Sequence, residues 1–161
     1  MLAVGLILMA LAGPWLAPYD PESMHFASRF APPSWEFLLG TDSFGRDLLS
    51  RVLVGARSTI LLALLATIIG STVGALIGLI SAYFGGRIDE IIMRIVDAVM
   101  AIPGLLFALL IISALGSSAI NAVIAIGITF APGMARVSRS ITLTVREQDY
   151  VAAAVARGEG A

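Results

Sequence analysis

Charge in this chain is confined to three clusters, Asp20 to Arg57, Arg87 to Asp97 and Arg136 to Glu159, leaving uncharged runs at 1–19, 58–86 and 98–135. A helix needs about 20 apolar residues to cross the hydrocarbon of a bilayer, so 58–86 holds one crossing and 98–135 holds two, turning at Gly116-Ser117-Ser118. Only 13% of the residues are charged, against about 25% in an ordinary soluble domain. The sequence predicts an all-α, polytopic transmembrane helical protein with about four spans.

The first run is the shortest. Its Leu2 to Met9 core and Ala10-Leu11-Ala12 step are like those of a signal peptide, but no Lys or Arg precedes Arg29, and a secretory n-region is basic. Residues 1–17 are therefore read as a first transmembrane helix, complete or truncated. Four arginines lie in 20–57 and six in the other two clusters together, which favours those two as the cytoplasmic ones. The spans then run outward, inward, outward and inward, with Trp15, Tyr19 and Trp35 near the outer interface.

The residues that are missing exclude whole classes of chemistry. There are no cysteines, hence no disulfide or thiolate metal site. Every basic residue other than His25 is an arginine, and a P-loop ATPase requires the lysine of its phosphate loop. If ATP drives the work of this protein, another subunit binds it. No group of metal ligands and no nucleophile beside a base points to an enzyme. His25, alone in a Pro-rich loop, is expected to pack or to face solvent.

Pro18, Pro21, Pro32 and Pro33 fall without a clear period, so 18–39 reads as an irregular extracytoplasmic loop. Asp42 is placed to N-cap a helix over Ser43 to Gly55, with Phe44, Leu48 and Val52 on one face and an Asp47–Arg51 pair on another. Lying along the outer surface, that helix makes 18–57 a loop with an interfacial helix, ahead of a three-helix core at 58–135.

The second span carries a small residue at every fourth position: Ala66, Gly70, Gly74, Gly78 and Ala82. Spacing by four keeps them near one face, where another helix can approach closely, so the stripe predicts tight packing and says nothing of substrate. The third span opens with Arg87, Asp89, Glu90, Arg94 and Asp97. Glu90, Arg94 and Asp97 share a face and are expected to neutralise one another. Pro103 is expected to kink or interrupt this span, and Pro132-Gly133 the fourth. Asn121 is expected to cap a helix or bond between helices.

Three blocks of residues resemble one family. Leu39-Gly40-Thr41-Asp42-Ser43-Phe44-Gly45-Arg46-Asp47, then Ser50-Arg51 and Gly55-Ala56-Arg57, is similar to the signature preceding the second helix of dipeptide, oligopeptide and nickel ABC importer permeases. Within those heterodimers it is like the second, C-type, partner. Tyr83 to Glu90, followed by Met93-Arg94, Asp97 and Pro103, is a second match. The third is Glu147 to Gly158, which resembles the start of the Glu-Ala-Ala, three residues, Gly loop that grips the ATPase, with Ala152, Ala153 and Ala154 in the first three places and Gly158 in the last. Ala152 stands where that loop has its Glu.

The resemblance implies the permease subunit of an ATP-driven importer of peptides or similar small solutes in the bacterial inner membrane. It implies alternating access and four kinds of partner: a second permease subunit, two ATPase subunits that bind the ATP, an extracytoplasmic solute-binding protein, and membrane lipid, with no nucleic acid. Residues 136–161 become the start of a cytoplasmic ATPase-docking loop, and the chain is expected to be a fragment. The rival from another class is a secondary transporter or channel fragment driven by an ion gradient through Glu90 and Asp97.

Overall fold

The computed structural model describes residue 5 and residues 12–158, with the backbone alone at Ala152 and Val155. Most of the expected first span, and the end of the expected docking loop after Gly158, lie outside the described residues. Among those described, regular structure is helical apart from one antiparallel bridge between Thr41 and Asp47. Residues 12–16 are helical, and after a 3-10 turn at Phe26–Ser28 come α1 (Leu48–Phe84), α2 (Gly86–Met100), α3 (Gly104–Leu115), α4 (Ala119–Arg146) and α5 (Asp149–Ala156). The chain divides into two compact units, Met1–Ala63 and Leu64–Ala161.

In the first unit the helix expected over Ser43 to Gly55 is not a separate element. Residues 41–47 instead form a loop closed by the Thr41–Asp47 bridge, and α1 begins at Leu48 and continues into the apolar run. Asp42 does not cap a helix: its Oδ1 accepts from the backbone N–H of Phe44 (2.8 Å) and Arg46 (3.0 Å), the short-range turn that Asp favours outside helices. Gly45 follows at φ +74°, where a Cβ would lie 2.0 Å from the carbonyl oxygen of His25, so only glycine fits. The N-cap is Asp47, whose Oδ2 accepts from the backbone N–H (2.8 Å) and hydroxyl (2.6 Å) of Ser50. The expected Asp47–Arg51 pair is also replaced, because Arg51 reaches Asp42. His25 packs with the rings of Tyr19 and Phe37.

In the second unit α1 ends at a corner made by Gly85 (φ +62°) and Gly86 (φ +53°). α2 and α3 meet at a 90° bend around Ala101-Ile102-Pro103, a full break at the proline. Gly116 then turns the chain at φ +91°, and Ser118 caps α4 by accepting from the N–H of Asn121 (3.1 Å). The Asn121 amide donates to Leu115 O (2.8 Å) and Gly116 O (2.9 Å), tying the turn shut. Pro132 does not interrupt α4, which runs its 28 residues through it. The missing N–H costs a single backbone bond, and packing holds the segment: Ala131, Pro132 and Ala135 are all buried.

The core of this unit is built from small residues, with Ala66, Ala82, Ala125, Ala131 and Ala135 buried. The stripe on α1 lies along α4. A Cβ added at Gly70, Gly74 or Gly78 would come within 2.7, 2.4 or 2.3 Å of the carbonyl oxygens of Gly127, Ala131 and Ala135 respectively. Among the described residues two helices, Leu48–Phe84 and Ala119–Arg146, are long and apolar enough to cross a membrane, and the bent α2–α3 pair makes a third if it counts as one span. The described residues therefore carry two or three of the about four spans expected.

Candidate functional site

Where α1 hands over to α2, Arg139 and Arg146 of α4 bind the corner, and Arg136 meets α2 nearer its far end. Arg139 grips Asp89 with two nitrogens, Nε at 2.6 Å from Oδ1 and Nη2 at 2.5 Å from Oδ2, and the buried hydroxyl of Ser81 donates to the same Oδ1. A two-pronged guanidinium–carboxylate pair fixes orientation as well as distance. Arg136 Nη2 lies 2.5 Å from Asp97 Oδ1. Arg146 Nη1 donates to Ala82 O and, at 3.3 Å, to Tyr83 O, two of the carbonyls that the end of α1 leaves without helical partners. Ser138 Oγ adds a bond to Ala75 O at 3.0 Å.

The face expected to neutralise itself does so only in part. Glu90 and Arg94 pair at 2.8 Å on the exposed side of α2, but Asp97 leaves that face to meet Arg136. Sequence reasoning singled out Asp89, Arg94 and Asp97 and missed Ser81, Arg136, Arg139 and Arg146. A signal was present: Arg136, Arg139 and Arg146 are spaced by three and seven, which puts them toward one side of a helix. Met93, Asp97, Arg136 and Arg139 line an open recess of about 370 Å³. A smaller cavity of about 170 Å³ sits at the α2–α3 bend, lined by Val99, Ile102, Gly104, Phe107, Thr129 and Pro132. Pro103 occupies the N-cap position of α3.

After the two residues Glu147 and Gln148 the chain re-enters a helix, α5. Tyr150 and Ala153 are exposed on it and Ala154 is half-buried. Its last turn is closed by the N–H of Arg157 donating to Ala153 O (3.2 Å) and Ala154 O (3.1 Å), and Gly158 follows at φ +81°, the left-handed conformation that ends a helix. The side chain of Ala152 lies outside what is described.

In the first unit the block from Gly40 to Arg57 makes a second charged cluster. Asp42 Oδ2 pairs with Arg46 Nε at 2.9 Å and with Arg51 Nη1. Partial desolvation pushes the Asp42 carboxyl up, but the N–H groups of Arg46 and Phe44 and the Arg46 guanidinium outweigh it and hold it at about 2, below the ordinary 3.8. Thr41 and Asp47 are buried, Gly40 turns at φ +76°, and Arg57 is exposed on α1. Among the described residues no three metal-ligating side chains gather.

Residues 74–161, more than half of the chain, match the family described as binding-protein-dependent transport system inner membrane component. The chain belongs to that family. Residues 1–33 of this permease chain also match the N-terminal transmembrane domain of oligopeptide transport permease C. It is 43% identical over 154 residues to a probable D,D-dipeptide transport system permease protein, DdpC, of Escherichia coli K12, covering 96% of this chain and 52% of that protein. It is 41% identical to the di/tripeptide transport system permease protein DppC of Pseudomonas aeruginosa, covering 96% and 53%. A glutathione transport system permease protein, GsiD, of Escherichia coli O6 is 38% identical over 92% and 50%. The permease chain thus spans about half the length of the curated relatives it matches. The cluster of Asp89, Asp97 and the α4 arginines, and α5, fall within the matched residues 74–161.

Proposed function

We propose that this chain is the membrane-crossing part of a permease subunit of an ATP-driven importer for peptides or similar small solutes in the bacterial inner membrane. The observation that carries the reading is the family match over 74–161, which runs through the end of α1, the arginine-bound corner and α5. The relatives described as transporting dipeptides, tripeptides and glutathione support the substrate class. On this reading 1–17 is the first of four spans, 18–57 is extracytoplasmic, 58–135 is the core and 136–161 opens the cytoplasmic docking loop. A second permease subunit completes the path, a solute-binding protein delivers the peptide, and two ATPase subunits dock on α5 through Tyr150 and Ala152 to Ala154, with Gly158 ending the docking helix. Their closure moves the docked helix and exchanges access between the two sides. The chain itself performs no covalent chemistry.

A cross-link tests this. A cysteine is placed at Ala153, exposed on α5, in the full-length parent, and a matching cysteine on the candidate ATPase. The expected outcome is a cross-link whose yield changes with ATP. Labelling of the cysteine only from outside the cell, with no cross-link, sinks the reading.

A further inference from the structure

We infer that Arg146 is a positioning residue that couples the docking helix to the end of α1, an inference that rests on the importer reading above and names the link inside this chain that the motion must use. Three observations carry it. The guanidinium of Arg146 is bonded to Ala82 O and Tyr83 O, two of the carbonyls in the last turn of α1. Those carbonyls carry the negative end of the α1 dipole, and a single nitrogen of the permanently charged guanidinium, Nη1, donates to both.

The second observation is the shortness of the joint. α4 ends at Arg146 and α5 begins at Asp149, and within that joint Gln148 N–H donates to Val145 O at 3.2 Å and Val151 N–H to Gln148 O at 3.0 Å. Two bonded residues leave little slack, so a displacement of α5 reaches Arg146 before it is absorbed. The third observation is what the gripped end is attached to. Ser81, one residue before Ala82, donates to Asp89 of α2, and Arg139 holds that same carboxylate from α4. The corner between α1 and α2 is therefore fastened to α4 at two heights, and Arg146 is the fastening nearer to α5. Moving α5 pulls on the end of the helix whose small-residue stripe lies along α4.

The test reconstitutes the whole importer in vesicles and measures substrate taken up per ATP hydrolysed, a ratio that a merely structural defect leaves alone because it lowers both quantities together. Arg146→Ala is expected to lower the ratio about tenfold, the effect of removing a charged hydrogen bond that must hold during the stroke. Arg146→Lys, which keeps the charge and a donating nitrogen, is expected to recover part of it. If Arg146→Ala does not assemble, Arg146→Gln carries the same expectation, since it keeps polarity and loses the charge. An unchanged ratio in an assembled variant overturns the inference while leaving the importer reading intact. A parent complex that takes up nothing in response to ATP overturns both.

Discussion

Asp42 and Asp47, five residues apart, use the same side chain for different ends. Asp42 gathers two arginines and two backbone N–H groups, while Asp47 is buried, spends one oxygen on Ser50, and has no bonded partner for Oδ1. The charge of Asp47 sits against the positive end of α1, which favours an anion there. Asp42 makes a pH prediction. Its carboxyl is held at about 2, below the ordinary 3.8, so its contribution to the loop is fully present above about pH 4 and is lost as the pH falls through 2. A carbon-13 titration of that carboxyl in the solubilised complex is expected to give a midpoint near 2. A midpoint at the ordinary value would mean that the bonds from the N–H groups of Arg46 and Phe44 and the pair with the Arg46 guanidinium do not hold in solution.

The pairing of α1 with α4 depends on the absence of side chains at Gly70, Gly74 and Gly78. A leucine at Gly74 must place a Cβ 2.4 Å from Ala131 O and 2.7 Å from the Cβ of Met134, both fixed by their own helix. Overpacking of this kind costs about 1–3 kcal/mol. Gly74→Leu is expected to lower the yield of assembled complex on size exclusion. Gly55→Leu, on the same helix where a Cβ meets nothing within 4 Å, is expected to leave it unchanged. Equal yields for the two would show that the stripe does not pack. This element was legible in the sequence because period-four small residues announce a close approach without naming the partner. The start of α1 was not, because an N-cap and a short-range Asp turn use the same residue, and the discriminating φ at Gly45 depends on His25, twenty residues away. The arginine partners were hidden for a similar reason. Asp97–Arg136 and Asp89–Arg139 join positions 39 and 50 apart, whereas helix spacing reveals only the Glu90–Arg94 kind of pair.

For the whole molecule, the competing explanation is transport driven by an ion gradient through Glu90 and Asp97. A proton relay needs carboxyls strung along one path. Here Glu90 is paired on its own helix with Arg94 and Asp97 is paired across to Arg136, and no described hydrogen bond connects the two pairs. Both pairs are exposed, at 50% and 58% for the Arg136 and Asp97 side chains, and a pair so open to solvent contributes about 0–1 kcal/mol. Asp97→Asn keeps the shape of the side chain and an oxygen that can still accept from Arg136, while removing the titratable group. An importer powered by ATP on partner subunits is expected to keep its uptake within about twofold in this variant, because 0.4 kcal/mol corresponds to a factor of about two. A carrier that moves protons through this position loses uptake altogether. The measurement is peptide uptake in intact cells with Asp97→Asn in the full-length parent, and abolished uptake with normal assembly would transfer the energy source from ATP to the gradient.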